Sequence, residues 1–72
     1  MRLDLYLYHH AIPVEVFADA IGVHRTSVYR FYKGLTFPRP ETIERIRKAT
    51  NGNVTADDFS QVYAHAKRYA VG

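Results

Sequence analysis

The stretch Phe17-Ala18-Asp19-Ala20-Ile21-Gly22-Val23-His24-Arg25-Thr26-Ser27-Val28-Tyr29-Arg30-Phe31-Tyr32-Lys33-Gly34 decides the fold of this chain. Phe17, Ala18 and Ile21 recur at helical spacing, Gly22 ends the run, and Val23 plugs the corner. Val28 and Tyr32, four residues apart, start a second apolar stripe. The pattern predicts two short helices joined by a tight glycine turn. Phase assigns Phe17, Ile21, Val28 and Tyr32 to the core. The outward arc of the second helix carries Arg25, Thr26, Tyr29, Arg30 and Lys33, and no acid.

Outward from this stretch, the spacing predicts three more helices, which makes five in chain order. The first spans Leu3 to about His10, with Leu3, Tyr6 and Leu7 on one face. The second runs from about Val14 to Ile21, with Pro13 tolerated in its first turn because a backbone donor there has no partner. The third runs from Arg25 to Lys33, with His24 near its N-cap and Gly34 available for a left-handed exit. A loop, Leu35-Thr36-Phe37-Pro38-Arg39, leads to a fourth helix beginning at Pro40, whose Glu41 and Glu44 complement its positive end. Ile43, Ile46 and Ala49 point inward there, and Asn51-Gly52-Asn53 stops the helix and turns the chain. The last helix opens at Thr55 with a capping-box pattern, Thr55-Ala56-Asp57-Asp58, followed by Phe59, Val62, Tyr63, Ala66 and Tyr69 at spacings of three and four. Five helices without a convincing strand make a single all-α domain.

The central pair has the shape of a helix-turn-helix, a motif whose second helix enters the major groove of DNA. The order Phe17-Ala18, Ile21-Gly22-Val23, Thr26-Ser27-Val28, Arg30, Tyr32 and Gly34 resembles the Cro/cI-type (lambda-repressor-like, XRE) helix-turn-helix family. That family's pattern runs phenylalanine or leucine, alanine, two variable residues, leucine-glycine-valine, recognition helix, glycine. Pro38-Arg39-Pro40-Glu41-Thr42-Ile43 resembles the proline-marked start of the family's fourth helix, and the likeness covers about residues 3–59. The resemblance implies a compact five-helix domain acting as a sequence-specific, DNA-binding transcriptional regulator of repressor type. It also implies a cytoplasmic, nucleoid-associated protein of bacterial or phage origin. Two departures stand out. The family's second helix often starts with threonine-glutamine, which binds a phosphate, whereas Pro13 and Val14 stand here and donate nothing from their side chains. His24 occupies a place that is commonly serine, where it either substitutes as a cap or gains charge near phosphate.

Charge agrees with a polyanion partner. The 72 residues carry a formal net charge of +3. Between His24 and Lys48 seven basic residues face two acidic ones, while the rest of the chain is net acidic. With no cysteine there is neither a disulfide framework nor a thiolate zinc site. No apolar run approaches a membrane span, and Met1-Arg2-Leu3-Asp4 leads straight into a patterned segment rather than a secretion signal. No glycine-rich phosphate loop, nucleophile elbow or acid pair points to an enzyme or a cofactor. His9 and His10, being adjacent, diverge on a helix, and His24 and His65 lack a partner motif, so no metal site is expected.

The expected contacts follow from position on the recognition helix. Arg25 is the first choice for reading a guanine, because a guanidinium meets the O6 and N7 acceptors together. Thr26 is short enough to touch a thymine methyl, and Tyr29 and Arg30, one turn on, reach a base or a phosphate. For Tyr29 the competing reading is packing against the second helix. Ser27 either bonds a phosphate or satisfies amides at the helix start. Lys33, Thr36 and Arg39 are expected to clamp phosphates, against simple solvation, and Arg47 and Lys48 extend the basic rim. The Phe59, Val62, Tyr63, Ala66 and Tyr69 stripe either contributes to a homodimer, matching paired half-sites on double-stranded DNA, or caps the monomer core. The alternative function is a protein-interaction module that uses this aromatic helix and binds DNA only weakly.

Overall fold

Five α-helices follow one another: α1 (Leu3–His9), α2 (Val14–Ile21), α3 (Arg25–Lys33), α4 (Pro40–Ala49) and α5 (Ala56–Val71). The computed structural model describes the backbone of residues 1–71 and the side chains of residues 1–64, and among these residues there is no strand. The bounds of α2 and α3 match those expected from the apolar spacing, and α1 ends one residue earlier, with His10 as its C-cap.

Each helix end has a local cause. Asp4 in the first turn of α1 complements the helix dipole and receives two hydrogen bonds from the Arg2 guanidinium, at 3.0 and 2.6 Å. The α1 exit folds back on itself: Ile12 N donates to the Leu7 carbonyl at 2.9 Å across Ala11, which sits left-handed at φ 54°. Pro13 is the N-cap of α2 rather than a member of its first turn. At the start of α5 the Asp58 carboxylate accepts the Thr55 amide at 2.9 Å and the Met1 ammonium at 3.1 Å, which ties the chain's first residue to this turn.

The core gathers Leu3, Tyr6, Leu7, Phe17, Ala18, Ile21, Val28, Phe31, Ile46, Val54 and Phe59. Each large apolar side chain buried there contributes on the order of 1.5–3 kcal/mol of transfer free energy. α3 packs against α2 on one side and α5 on the other, and α4 packs against α2. Two expectations about phase are corrected. In α3 the buried pair is Val28 and Phe31, and Tyr32 is only half-buried, because Phe31 meets Phe59 of α5 edge-on at 6.3 Å. In α4 the inward residues are Thr42, Ile46 and Thr50 at spacing four, with Ile43 half-buried and Ala49 exposed. Thr50 is accommodated because its hydroxyl donates to the Ile46 carbonyl at 2.8 Å and accepts the Val54 amide at 3.1 Å.

Candidate nucleic-acid interface

The angle between α2 and α3 is set at Gly22, the left-handed C-cap of α2 with φ 74°. Its amide and that of Val23 return to the Ala18 carbonyl, and Val23 packs against the core. Arg45 of α4 reaches across and donates to the Ile21 carbonyl at 3.4 Å, close to where a Cβ on residue 22 would stand. The turn is thus held by the core on one side and by α4 on the other.

α3 begins with a histidine cap. His24 Nδ1 accepts the Thr26 amide at 3.2 Å and lies 3.0 Å from the Thr26 hydroxyl. Of the two readings of His24, the cap is the one realised in this structure. The Ser27 amide goes to the His24 carbonyl at 2.9 Å, so His24 partners two of the amides at the helix start, those of Thr26 and Ser27. Gly34, left-handed at φ 78°, closes the other end.

With Val28 and Phe31 turned inward, Arg25, Thr26, Tyr29, Arg30 and Lys33 all lie on the exposed arc of α3. Among the described residues, the aromatic partner of Tyr29 lies in α3 itself. Its ring meets Tyr32 of its own helix edge-on at 5.6 Å, and the Lys33 ammonium stands 5.8 Å from its centroid. That leaves Tyr29 36% exposed, a flat aromatic surface beside the Lys33 ammonium. The Tyr32 phenol is pushed above its ordinary value, chiefly by burial and further by Tyr29 and Asp4, so it remains a neutral hydrogen-bonding group.

Of the four expected phosphate clamps, Ser27, Thr36 and Arg39 line one cleft, between the start of α3 and the loop that follows it. Lys33 stands apart on the α3 arc. The same cleft is lined by Arg45 and Glu41, neither of which the sequence marks as a phosphate contact. Arg45 is legible only as one of several α4 surface cations, and its place beside Ser27 depends on how α4 crosses α2. Arg47, expected to extend the basic rim, is paired with Glu44 one turn earlier, which holds the Glu44 carboxyl below its usual range. An exposed pair of this kind leaves Arg47 a weaker contributor of positive potential.

One acid does approach the arc. Glu15, in the first turn of α2, places Oε1 3.7 Å from Nη1 of Arg25. Asp19, one turn further along α2, lines the cleft shared by Glu15, His24 and Arg25.

The α5 stripe is divided by burial. Phe59 is 3% exposed and belongs to the monomer core, so it is corrected as an interface residue: its ring is spent on Phe31. Val62 and Tyr63 are half-buried, and Tyr63 meets Phe37 edge-on at 5.9 Å. The side chains of Ala66 and Tyr69 lie outside the described residues. Among the described residues no three His, Cys, Asp or Glu side chains gather where they could hold a metal ion, and no helix is long and apolar enough to cross a membrane.

No family model matches this chain, and neither do the curated proteins or the solved structures with which it was compared.

Proposed function

We propose that this chain is a sequence-specific DNA-binding transcriptional regulator, of repressor type, that lays α3 in the major groove. The observation that carries the reading is the arc of α3. Arg25, Thr26, Tyr29, Arg30 and Lys33 stand exposed together on a helix whose other faces are packed by α2 and α5. The cleft of Ser27, Thr36 and Arg39 adjoins the start of that helix, where backbone phosphates flank a groove-bound recognition helix. Arg25 and Thr26 at the N-terminal end of α3 read base edges, Tyr29 and Arg30 follow, and Lys33, Ser27, Thr36 and Arg39 hold the backbone. The likeness to the Cro/cI-type family supports the same reading and adds its expected setting: a homodimer on paired half-sites, in the bacterial or phage-infected cytoplasm. Occupancy of a promoter is sufficient for repression and requires no cofactor.

The test is competitive selection from a randomised duplex pool, followed by a salt titration on the winning duplex and a scrambled one. A sequence-specific binder enriches one motif, loses affinity steeply as salt rises, and retains a preference of about a thousandfold or more over random duplex. No enrichment at low salt refutes the proposal.

A second reading, a protein-interaction module, is favoured by one feature. Leu35 and Phe37 in the loop after α3 are 65% and 39% exposed, and Phe37 lies against Tyr63 of α5. Under that reading duplex binding is weak and uniform, and Arg25→Ala is without effect.

A further inference from the structure

The Glu15–Arg25 approach has a consequence for sequence preference that rests on the DNA-binding reading. We propose that Glu15 is a positioning residue that sets specificity: it holds Arg25 ready for a base edge and keeps it from settling on phosphate.

The contact carries an electrostatic cost. A surface meant to attract a polyanion gains from every acid it lacks, and α3 lacks them entirely. Yet α2 brings the Glu15 carboxylate to 3.7 Å from the guanidinium at the head of α3. A carboxylate about 7 Å from a phosphate, in an aqueous dielectric, weakens binding to any duplex by at most about threefold.

What the contact returns is orientation. Arg25 is 60% exposed and Glu15 56%, so the pair sits on the surface that a duplex would cover rather than inside the fold. A guanidinium has five donors, and an ion pair at 3.7 Å, beyond hydrogen-bond distance, leaves them all able to meet acceptors such as guanine O6 and N7. A free arginine at the head of a groove-binding helix has many rotamers, most of which offer its charge to the nearest phosphate. The Glu15 carboxylate narrows that set and repels the phosphate alternative at the same point. Discrimination rises while overall affinity falls. Asp19 lines the same cleft and adds to the repulsion, but the approach to Arg25 is made by Glu15. Glu15 also complements the α2 dipole, being in that helix's first turn, and that role alone would alter stability without touching preference.

The test compares wild type, Glu15→Gln, Arg25→Ala and the double variant by fluorescence anisotropy. The probes are the duplex selected by the wild-type protein from a randomised pool and a scrambled duplex of the same composition. Both positions are exposed, and thermal melts verify that all four proteins fold. Glu15→Gln is expected to bind the scrambled duplex up to about threefold more tightly and the selected duplex no more tightly, so that preference falls by about two- to threefold. With Arg25 already alanine, Glu15→Gln is expected to raise binding to both duplexes equally. Preference retained in Glu15→Gln, or the same fall in preference with Arg25 absent, overturns the proposal and leaves the DNA-binding reading intact. A wild-type protein that prefers no duplex overturns both.

Discussion

Replacing Thr50 by valine tests the packing that holds α4, and with it the Arg45 brace on the α2–α3 turn. Thr50 is fully buried, at 0% exposure, and valine has nearly its shape, so the change is one of hydrogen bonding rather than volume. The Ile46 carbonyl keeps a partner, because the Thr50 amide also donates to it at 3.0 Å. The Val54 amide does not: its acceptor is the Thr50 hydroxyl at 3.1 Å, and Val54 is itself at 0% exposure. An orphaned buried amide costs about 1–3 kcal/mol. The added methyl returns about 0.8 kcal/mol where it packs well. The net loss is about 0.2–2 kcal/mol, which lowers the melting temperature of a domain of this size by about 1–15 °C. Circular dichroism melts measure the loss, and hydrogen exchange at the Val54 amide locates it. Because Thr50 is remote from the α3 arc, the folded variant keeps wild-type duplex preference. A Val54 amide that exchanges as slowly in the folded variant as in wild type would refute the assignment of this hydroxyl as the amide's acceptor.

The recognition arc makes a paired prediction: Arg25→Ala relaxes preference at one base position by about 1–3 kcal/mol, whereas Arg39→Ala weakens all duplexes alike and lowers the salt slope by about one. Selection followed by salt titration separates the two. His24→Ala removes the α3 cap and costs about 0.5–1 kcal/mol in urea unfolding, while His24→Ser restores it. Ala11→Gly relieves a left-handed alanine worth about 1–2 kcal/mol against about 0.4–1 kcal/mol of added chain entropy, so a gain of up to about 1.6 kcal/mol is expected in the same assay. The Arg2 guanidinium, hydrogen-bonded to Asp4, holds the Asp4 carboxyl below its usual range. Its folded value therefore lies below its unfolded value, so its stabilisation is present above the unfolded value and disappears as pH falls through the folded one. Asp4→Asn should be less stable than wild type at neutral pH and converge with it in acid, as read from urea midpoints across the acid limb.

Local chemistry in the sequence was enough to determine where the helices lie. Gly22 and Gly34 end α2 and α3 because left-handed backbone is cheapest there, and Pro40 opens α4 because a first-turn residue has no need of its amide. The same local spacing exposes Arg25, Thr26, Tyr29, Arg30 and Lys33 once Val28 is turned inward. Fine phase was not legible. Phe31 and Tyr32 are adjacent apolar choices about 100° apart, and Phe59 of α5 selects the first. Ala49 and Thr50 pose the same choice at the end of α4, decided for threonine by the Val54 amide that needs its hydroxyl. Only the tertiary structure could bring Glu15 to Arg25, place Ser27, Thr36, Arg39 and Arg45 around one cleft, and withdraw Phe59 from any interface. Helix ends are written in residues a few positions apart, whereas these meetings depend on the angles at which whole helices cross, and no spacing along the chain encodes them.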